Sequence, residues 1–226
     1  MNLAYLFDID GTLLKVKNRV NRVVIQEVLN RLGVDREDVR TVDFAGRTDR
    51  AIFTDLLDGY GDGLFDQVKR HYISALDASL RREDVHVLHG VESSLRYLAE
   101  KSAWTGLLTG NFARAAEIKI SRTGLDNHFA FGAFGDDHAD RNDLPPNAMK
   151  ALESFSGKAF RPADLVIIGD TPRDILCARS HGSPCVAVST GHYTREQLRS
   201  YRPDALLNSL EEFPDWDRQF RRSRMN

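Results

Sequence analysis

The sequence predicts an α/β fold: a Rossmann-like parallel sheet flanked by helices, with a bundle of helices inserted after the first strand. Three observations predict it. Short runs at residues 3–7, 104–108, 165–168 and 185–188 are continuously apolar or β-rich, and each stops at Asp, Thr, Gly or Ser. Runs without alternation belong to strands covered on both faces. Stretches of helical period at 93–101, 112–122 and 175–181 lie between them, and such alternation gives parallel strands joined by crossover helices. The third observation is the region 15–85, where the alternation stops and no convincing strand is seen.

Taken in order, the first strand runs straight into Asp8-Ile9-Asp10-Gly11-Thr12-Leu13-Leu14. Helical spacing then links Val20, Val23, Val24, Val28 and Leu32, next Ala51, Ile52 and Leu56, and later Leu64, Val68, Tyr72, Leu76 and Leu80. Thr48 stands where a helix cap belongs, three residues before Ala51. Gly59, Gly61 and Gly63 fit a turn inside the insert; as a GxGxxG loop they match imperfectly and follow no strand. Successive helices do not fit a doubly wound sheet. Residues 15–85 are therefore read as a helical insert, with the core formed by 1–14 and 86–226 after a return near Leu88-His89-Gly90. Further strands are expected at 129–134 and, more weakly, at 204–207.

A chain of 226 residues holds one ample domain with such an insert. Its 42% hydrophobic and 28% charged residues exclude wholesale disorder. The net charge of −2, from 31 basic and 33 acidic residues, makes no case for nucleic acid or membrane as partner. The two cysteines, Cys177 and Cys185, form no CxxC pair and suit a reducing cytoplasm. No targeting or membrane-spanning segment is expected: the first apolar run ends at Asp8, and nowhere do 18 apolar residues follow one another. Four arginines between 218 and 224 read as a frayed, solvated terminus.

Four sets of residues carry chemistry. Residues two apart on a strand point the same way, so Asp8 and Asp10 face one pocket at a strand's carboxyl end. Adjacent carboxylates repel and call for a cation or a shared proton, although Asp and Gly also make ordinary turns. A second strand ends in Gly169-Asp170-Thr171-Pro172-Arg173-Asp174. Pro172 suits a helix's first turn, which puts Asp174 one turn beyond Asp170; Asp174 is equally explained as an acid complementing the helix dipole. A third strand ends in Thr109-Gly110-Asn111, whose hydroxyl and amides can bind a phosphate oxygen or cap a helix. Arg141 is the basic residue in an acidic run at 136–143, either a fixed charge for a phosphoryl site or a surface partner of its neighbours.

Together, DIDGTLL at 8–14, Thr109, Arg141 and GDTPRD at 169–174 resemble the four motifs of the haloacid dehalogenase superfamily. The helical insert resembles the small cap of its phosphoglycolate phosphatase-like branch, and Gly46-Arg47-Thr48-Asp49 looks like that branch's substrate-contacting loop. The resemblance implies an HAD-like core and a Mg²⁺-dependent phosphatase for a small phosphorylated metabolite. It implies Asp8 as the nucleophile that forms an aspartyl-phosphate. Asp10 would be the acid and base. Thr109, with Gly110 and Asn111, would bind the phosphoryl group, and Arg47 and Thr48 would meet substrate. It implies Asp8, Asp10 through its carbonyl, Asp170 and Asp174 around Mg²⁺, an ion that suits oxygen ligands. Arg141 takes the place usual for lysine; Lys150 is the second choice for that cation, and Lys119 a third, expected on a solvated helix face. Two other functions compete: a sugar-phosphate mutase, disfavoured because no histidine precedes His71, and a phospho-accepting module without turnover, for which a lid serves no purpose. Relatives that cleave carbon–halogen or carbon–phosphorus bonds lack an acid at the position of Asp10.

Overall fold

A computed structural model describes residues 3–36, 39, 41–136 and 138–224. Asp137, within the acidic run, and residues 37, 38 and 40 of the insert lie outside the described residues. In chain order, β1 (Ala4–Phe7) and β2 (Leu14–Val16) precede the helices α1 (Asn18–Arg31), α2 (Asp49–Leu56) and α3 (Phe65–Ser79). Then come β3 (Val85–Val87), α4 (Val91–Glu100), β4 (Trp104–Leu108), α5 (Ala113–Ser121), β5 (Gly132–Ala133) and α6 (Leu144–Ser156). The chain finishes with β6 (Leu165–Gly169), α7 (Pro172–His181), β7 (Cys185–Val188), α8 (Arg195–Ser200), β8 (Ala205–Leu207) and α9 (Phe213–Ser223).

Six strands form one parallel sheet in the order β5-β4-β1-β6-β7-β8. From β1 the chain steps outward through β4 to β5, returns to β6 beside β1, and steps outward the other way. That reversal opens a crevice at the carboxyl ends of the central strands, the place where open α/β sheets bind ligands. Period-two geometry splits each strand between two cores. Tyr5 and Phe7 of β1 pack with residues of α4, α5 and α9 such as Leu95, Ile118 and Phe213. Ala4 and Leu6 pack with Leu152 of α6 and Ile175 of α7. Both faces are covered, which is why the strands read as unbroken apolar runs.

The insert corrects one expectation. Residues 15–85 are bracketed by a two-stranded antiparallel ribbon pairing Leu14 with Val87, Lys15 with His86 and Val16 with Val85. Leu14 and Val16 are buried and Lys15 is exposed, a true strand alternation only three residues long and hidden in a Lys-rich turn. The helices otherwise follow the period, and Thr48 caps α2 by accepting from the Ala51 amide at 3.1 Å. The first core continues into the insert. Phe112, fully buried just ahead of α5, stacks on Phe53 of α2 at 5.8 Å and meets Tyr72 of α3 edge-on at 6.4 Å.

Two further expectations change. The strand expected at 129–134 shrinks to β5, because Phe129 and Phe134 pack into one core while Phe131 packs against the other. The terminal arginines are solvated only in part: Arg218 and Arg222 are exposed, but the helix that carries them is pinned to the core. Asp217, fully buried, accepts from the hydroxyls of Tyr5 and Tyr97 and from Arg221 Nε at 2.7 Å, and Arg224 donates to the Ala163 carbonyl. Among the described residues no helix is long and apolar enough to cross a membrane.

Candidate active site

Asp8 and Asp10 stand where β1 ends at the crevice. The Asp8 amide donates to the Ile168 carbonyl at 2.9 Å, which fixes the nucleophile candidate against β6. Gly11 turns the chain away with φ +90°, a conformation open to glycine without strain. It also makes room: a Cβ there would lie 2.3 Å from Asp170 Oδ2, and one on Gly191 would lie 1.7 Å from the same atom. Asp170, delivered by β6, thus slots between two glycines and accepts from Thr12 Oγ1 at 3.1 Å. Gly191, just past β7, escaped the sequence reading. Its signal was a strand ending in Ser189-Thr190-Gly191, much as β4 ends in Thr109-Gly110.

Arg141 is no surface residue. Its side chain is buried, and one terminal nitrogen donates to Asp8 Oδ1 at 3.0 Å, to Asp174 Oδ1 and to the Leu108 carbonyl at 3.2 Å. The other terminal nitrogen donates to the Gly46 carbonyl in the insert at 3.3 Å. Burial opposes its charge, but Asp174 and Asp8 outweigh burial and hold it protonated. Lys150 is exposed on α6 and takes no such place. Asp174 commits both oxygens to protein donors, one to Arg141 and the other to the Thr171 amide and hydroxyl at 3.0 and 2.7 Å. Burial pushes the Asp8 carboxyl up to about 6, with Arg141 opposing and Asp174 and Asp10 adding to the rise. Asp170 is likewise raised well above the usual carboxylate range, by burial and then by Asp8. Oxygens of Asp8, Asp170 and Asp174 lie within 4.8 Å of one another. Among the described residues no protein donor reaches Asp8 Oδ2 or Asp170 Oδ2.

Thr109, fully buried, accepts from Asn111 Nδ2 at 2.8 Å. Its own proton is left to donate toward the crevice. Lys119 overturns its expected placement. It is 2% exposed, and Nζ donates to Asp10 Oδ2 and Asn111 Oδ1, each at 2.6 Å. Asn111 Nδ2 donates to the same Asp10 oxygen at 2.8 Å. The signal was present in the sequence: Phe112, Ala115, Ala116 and Lys119 share one helical face, and the first three are fully buried.

The 46–49 loop of the insert covers these groups. Arg47 lines the cavity and pairs with Asp55. Thr48 does not line it: buried, it donates to the Ala139 carbonyl at 2.8 Å and caps α2. Gly110 is needed because a Cβ would fall 2.1 Å from the Arg47 carbonyl oxygen. The Asp49 amide donates to the Gly110 carbonyl at 2.7 Å, and Asp49 Oδ2 accepts from the Phe112 amide at 2.8 Å. The resulting cavity, about 450 Å³, is walled also by Lys15, Asn21, Tyr72 and Tyr193.

Burial raises the Asp49 carboxyl from 3.8 to about 6, against a nearby Lys119 that favours ionisation. The folded protein therefore binds this proton more tightly than the unfolded chain. The stability it contributes is complete below 3.8 and lost as pH rises through 6. Asp49→Asn keeps an acceptor for Phe112 and is expected to raise Tm at pH 7.5, with a smaller gain at pH 5. An equal gain at both pH values, followed by scanning calorimetry, would refute this.

Residues 5–188 match the family model described as haloacid dehalogenase-like hydrolase. The pyrophosphatase PpaX of Anoxybacillus flavithermus is 26% identical over 219 residues, covering 94% of this chain and 95% of that protein. A phosphoglycolate phosphatase of Chromobacterium violaceum is 26% identical over 227 residues, covering 95% and 98%. The crystal structure of a predicted phosphatase from Clostridium acetobutylicum superposes with a TM-score of 0.74 at 20% identity, covering 97% of this chain and 99% of that one.

Proposed function

The chain belongs to the haloacid dehalogenase-like hydrolases, and on that premise we propose that it is a Mg²⁺-dependent phosphatase of a small phosphorylated metabolite, working through an aspartyl-phosphate in the cytoplasm. One observation carries the reading: Asp8 is held by Arg141 beside Asp170 at the switch of the sheet, with Asp10 facing the same cavity. The printed activities of the relatives, a pyrophosphatase and a phosphoglycolate phosphatase, agree with it.

The donor set fits a divalent cation. Asp8 Oδ2 and Asp170 Oδ2 are carboxylate oxygens without a protein donor, and the raised carboxyls mark a site short of positive charge. Asp8, Asp170 and the Asp10 carbonyl would hold Mg²⁺, which when bound supplies charge to screen the phosphate from the attacking carboxylate. Asp174 then serves chiefly to orient Arg141. Asp8 attacks phosphorus as the bond from phosphorus to the leaving oxygen breaks. Asp10 gives that oxygen its proton. Thr109 and the amides of Gly110 and Asn111 donate to the transferring group. Water then attacks the phosphorus of aspartyl-phosphate, Asp10 takes a proton from it, and Asp8 is regenerated. The 46–49 loop, seated on Gly110, keeps other water out.

Phosphate release is expected from a panel holding p-nitrophenyl phosphate, 2-phosphoglycolate and pyrophosphate with Mg²⁺, and none with EDTA. No release from any phosphate ester or anhydride by folded, Mg²⁺-bound protein would sink the reading. Interconversion of sugar phosphates without release would point to a mutase, and a lasting phosphoryl-protein to a non-turnover module.

A further inference from the structure

Lys119 is unusual in being a lysine in the middle of a buried helix face. Burying an ammonium is costly even when it is paired, and a buried pair adds little net stability over apolar packing. The face around it is small or apolar: Ala115, Ala116 and Ile118 are buried beside it. Helical side chains lean toward the N-terminus. With only alanines one turn back, the Lys119 chain reaches past them to Asn111 and Asp10, 8 and 109 residues away in sequence. Its partners are not structural groups. Asn111 also bonds Thr109, and Asp10 is the most exposed member of the cluster, its side chain 39% accessible from the cavity.

We propose that Lys119 is a positioning residue for Asp10. With Asn111 it holds Asp10 Oδ2, so the carboxyl group cannot swing and Oδ1 is presented to the substrate's leaving oxygen. This rests on the phosphatase reading above. Asn111 ties the same carboxyl group to Thr109, so the group that donates a proton and the group that grips the phosphoryl are set in one frame. The proton Asp10 delivers goes to the departing oxygen as its bond to phosphorus breaks. A misaimed carboxyl group therefore harms poor leaving groups most, because good ones depart without a proton.

Steady-state kinetics of Lys119→Met on p-nitrophenyl phosphate and phenyl phosphate, with Mg²⁺, test this. The two substrates have nearly the same shape, and kcat/KM covers the steps only through release of the phenol. Phenyl phosphate should lose about 100-fold in kcat/KM, the scale of a general acid's contribution, and p-nitrophenyl phosphate no more than about 10-fold by the same reasoning. Lys119→Gln is neutral, yet still donates to Asp10, and should recover part of the difference. Equal losses on both substrates, or a loss confined to KM, would overturn the proposal: the first marks a structural lysine, the second a substrate contact. Wild-type protein that releases phosphate neither from these two substrates nor from any other phosphate ester or anhydride sinks the phosphatase reading itself. Wild-type turnover with unaltered Lys119→Met sinks only this inference.

Discussion

Asp8→Asn is expected to abolish phosphate release, by roughly 10⁴-fold or more, the scale on which the loss of a covalent nucleophile is felt. The structure makes this a clean experiment. Asparagine has the same shape, its side-chain oxygen still accepts from Arg141, and the Asp8 backbone stays pinned to Ile168. The fold should hold, so lost activity will report chemistry. Asp10→Asn should behave differently. With p-nitrophenyl phosphate, whose leaving group needs no proton, attack by Asp8 proceeds while the water step lacks its base. A phosphoryl group should then build up on the peptide that carries Asp8, visible by mass spectrometry after an acid quench. Asp8→Asn retaining a tenth of wild-type turnover, or a phosphoryl group on any other residue, would defeat the aspartyl-phosphate mechanism.

How far the sequence foretold these residues depended on the range of the interactions involved. The central strands were legible because two covered faces demand continuous apolar runs, and β4 and β7 fall where those runs lie. Asp8, Asp10, Thr109 and Asp170 were legible because each ends such a run, and the sheet order brings those ends together. The β2–β3 ribbon was not, since three residues of alternation are too few to separate from a turn, and their partners lie some seventy positions away. Burial of charge was harder still. Arg141 sits in an acidic run that invites a surface reading, and only the approach of Asp8 from β1 and Asp174 from α7 shows it to be a buried bridge. Lys119 was assigned to solvent by residue type although the helical period placed it inward. Gly191 and Asp49 act by leaving room and by reaching another backbone, roles that a strand-end glycine or a loop acid does not declare until the facing chain is in place.

The bridge through Arg141 leads to the second large effect. Arg141→Met leaves Asp8 and Asp174 buried without their shared counter-charge, and removing one partner from such a group costs about 3–5 kcal/mol. For a domain of this size that corresponds to a fall in Tm of roughly 6–20 °C. Activity should vanish as well, because nothing then orients Asp8. Arg141→Lys separates charge from geometry. An ammonium can satisfy Asp8 and Asp174, but a point charge cannot also extend to the Gly46 carbonyl, which the guanidinium reaches with its second nitrogen. This variant should fold with a small change in Tm and keep turnover, reduced, with KM raised because the 46–49 loop has lost one of its ties to the core. Asp174→Asn added to Arg141→Met removes one of the orphaned carboxylates and should recover part of the lost stability but none of the activity. An Arg141→Met protein that melts with the wild type would mean that the buried bridge does not exist in solution, and with it would go the account of how Asp8 is held for attack.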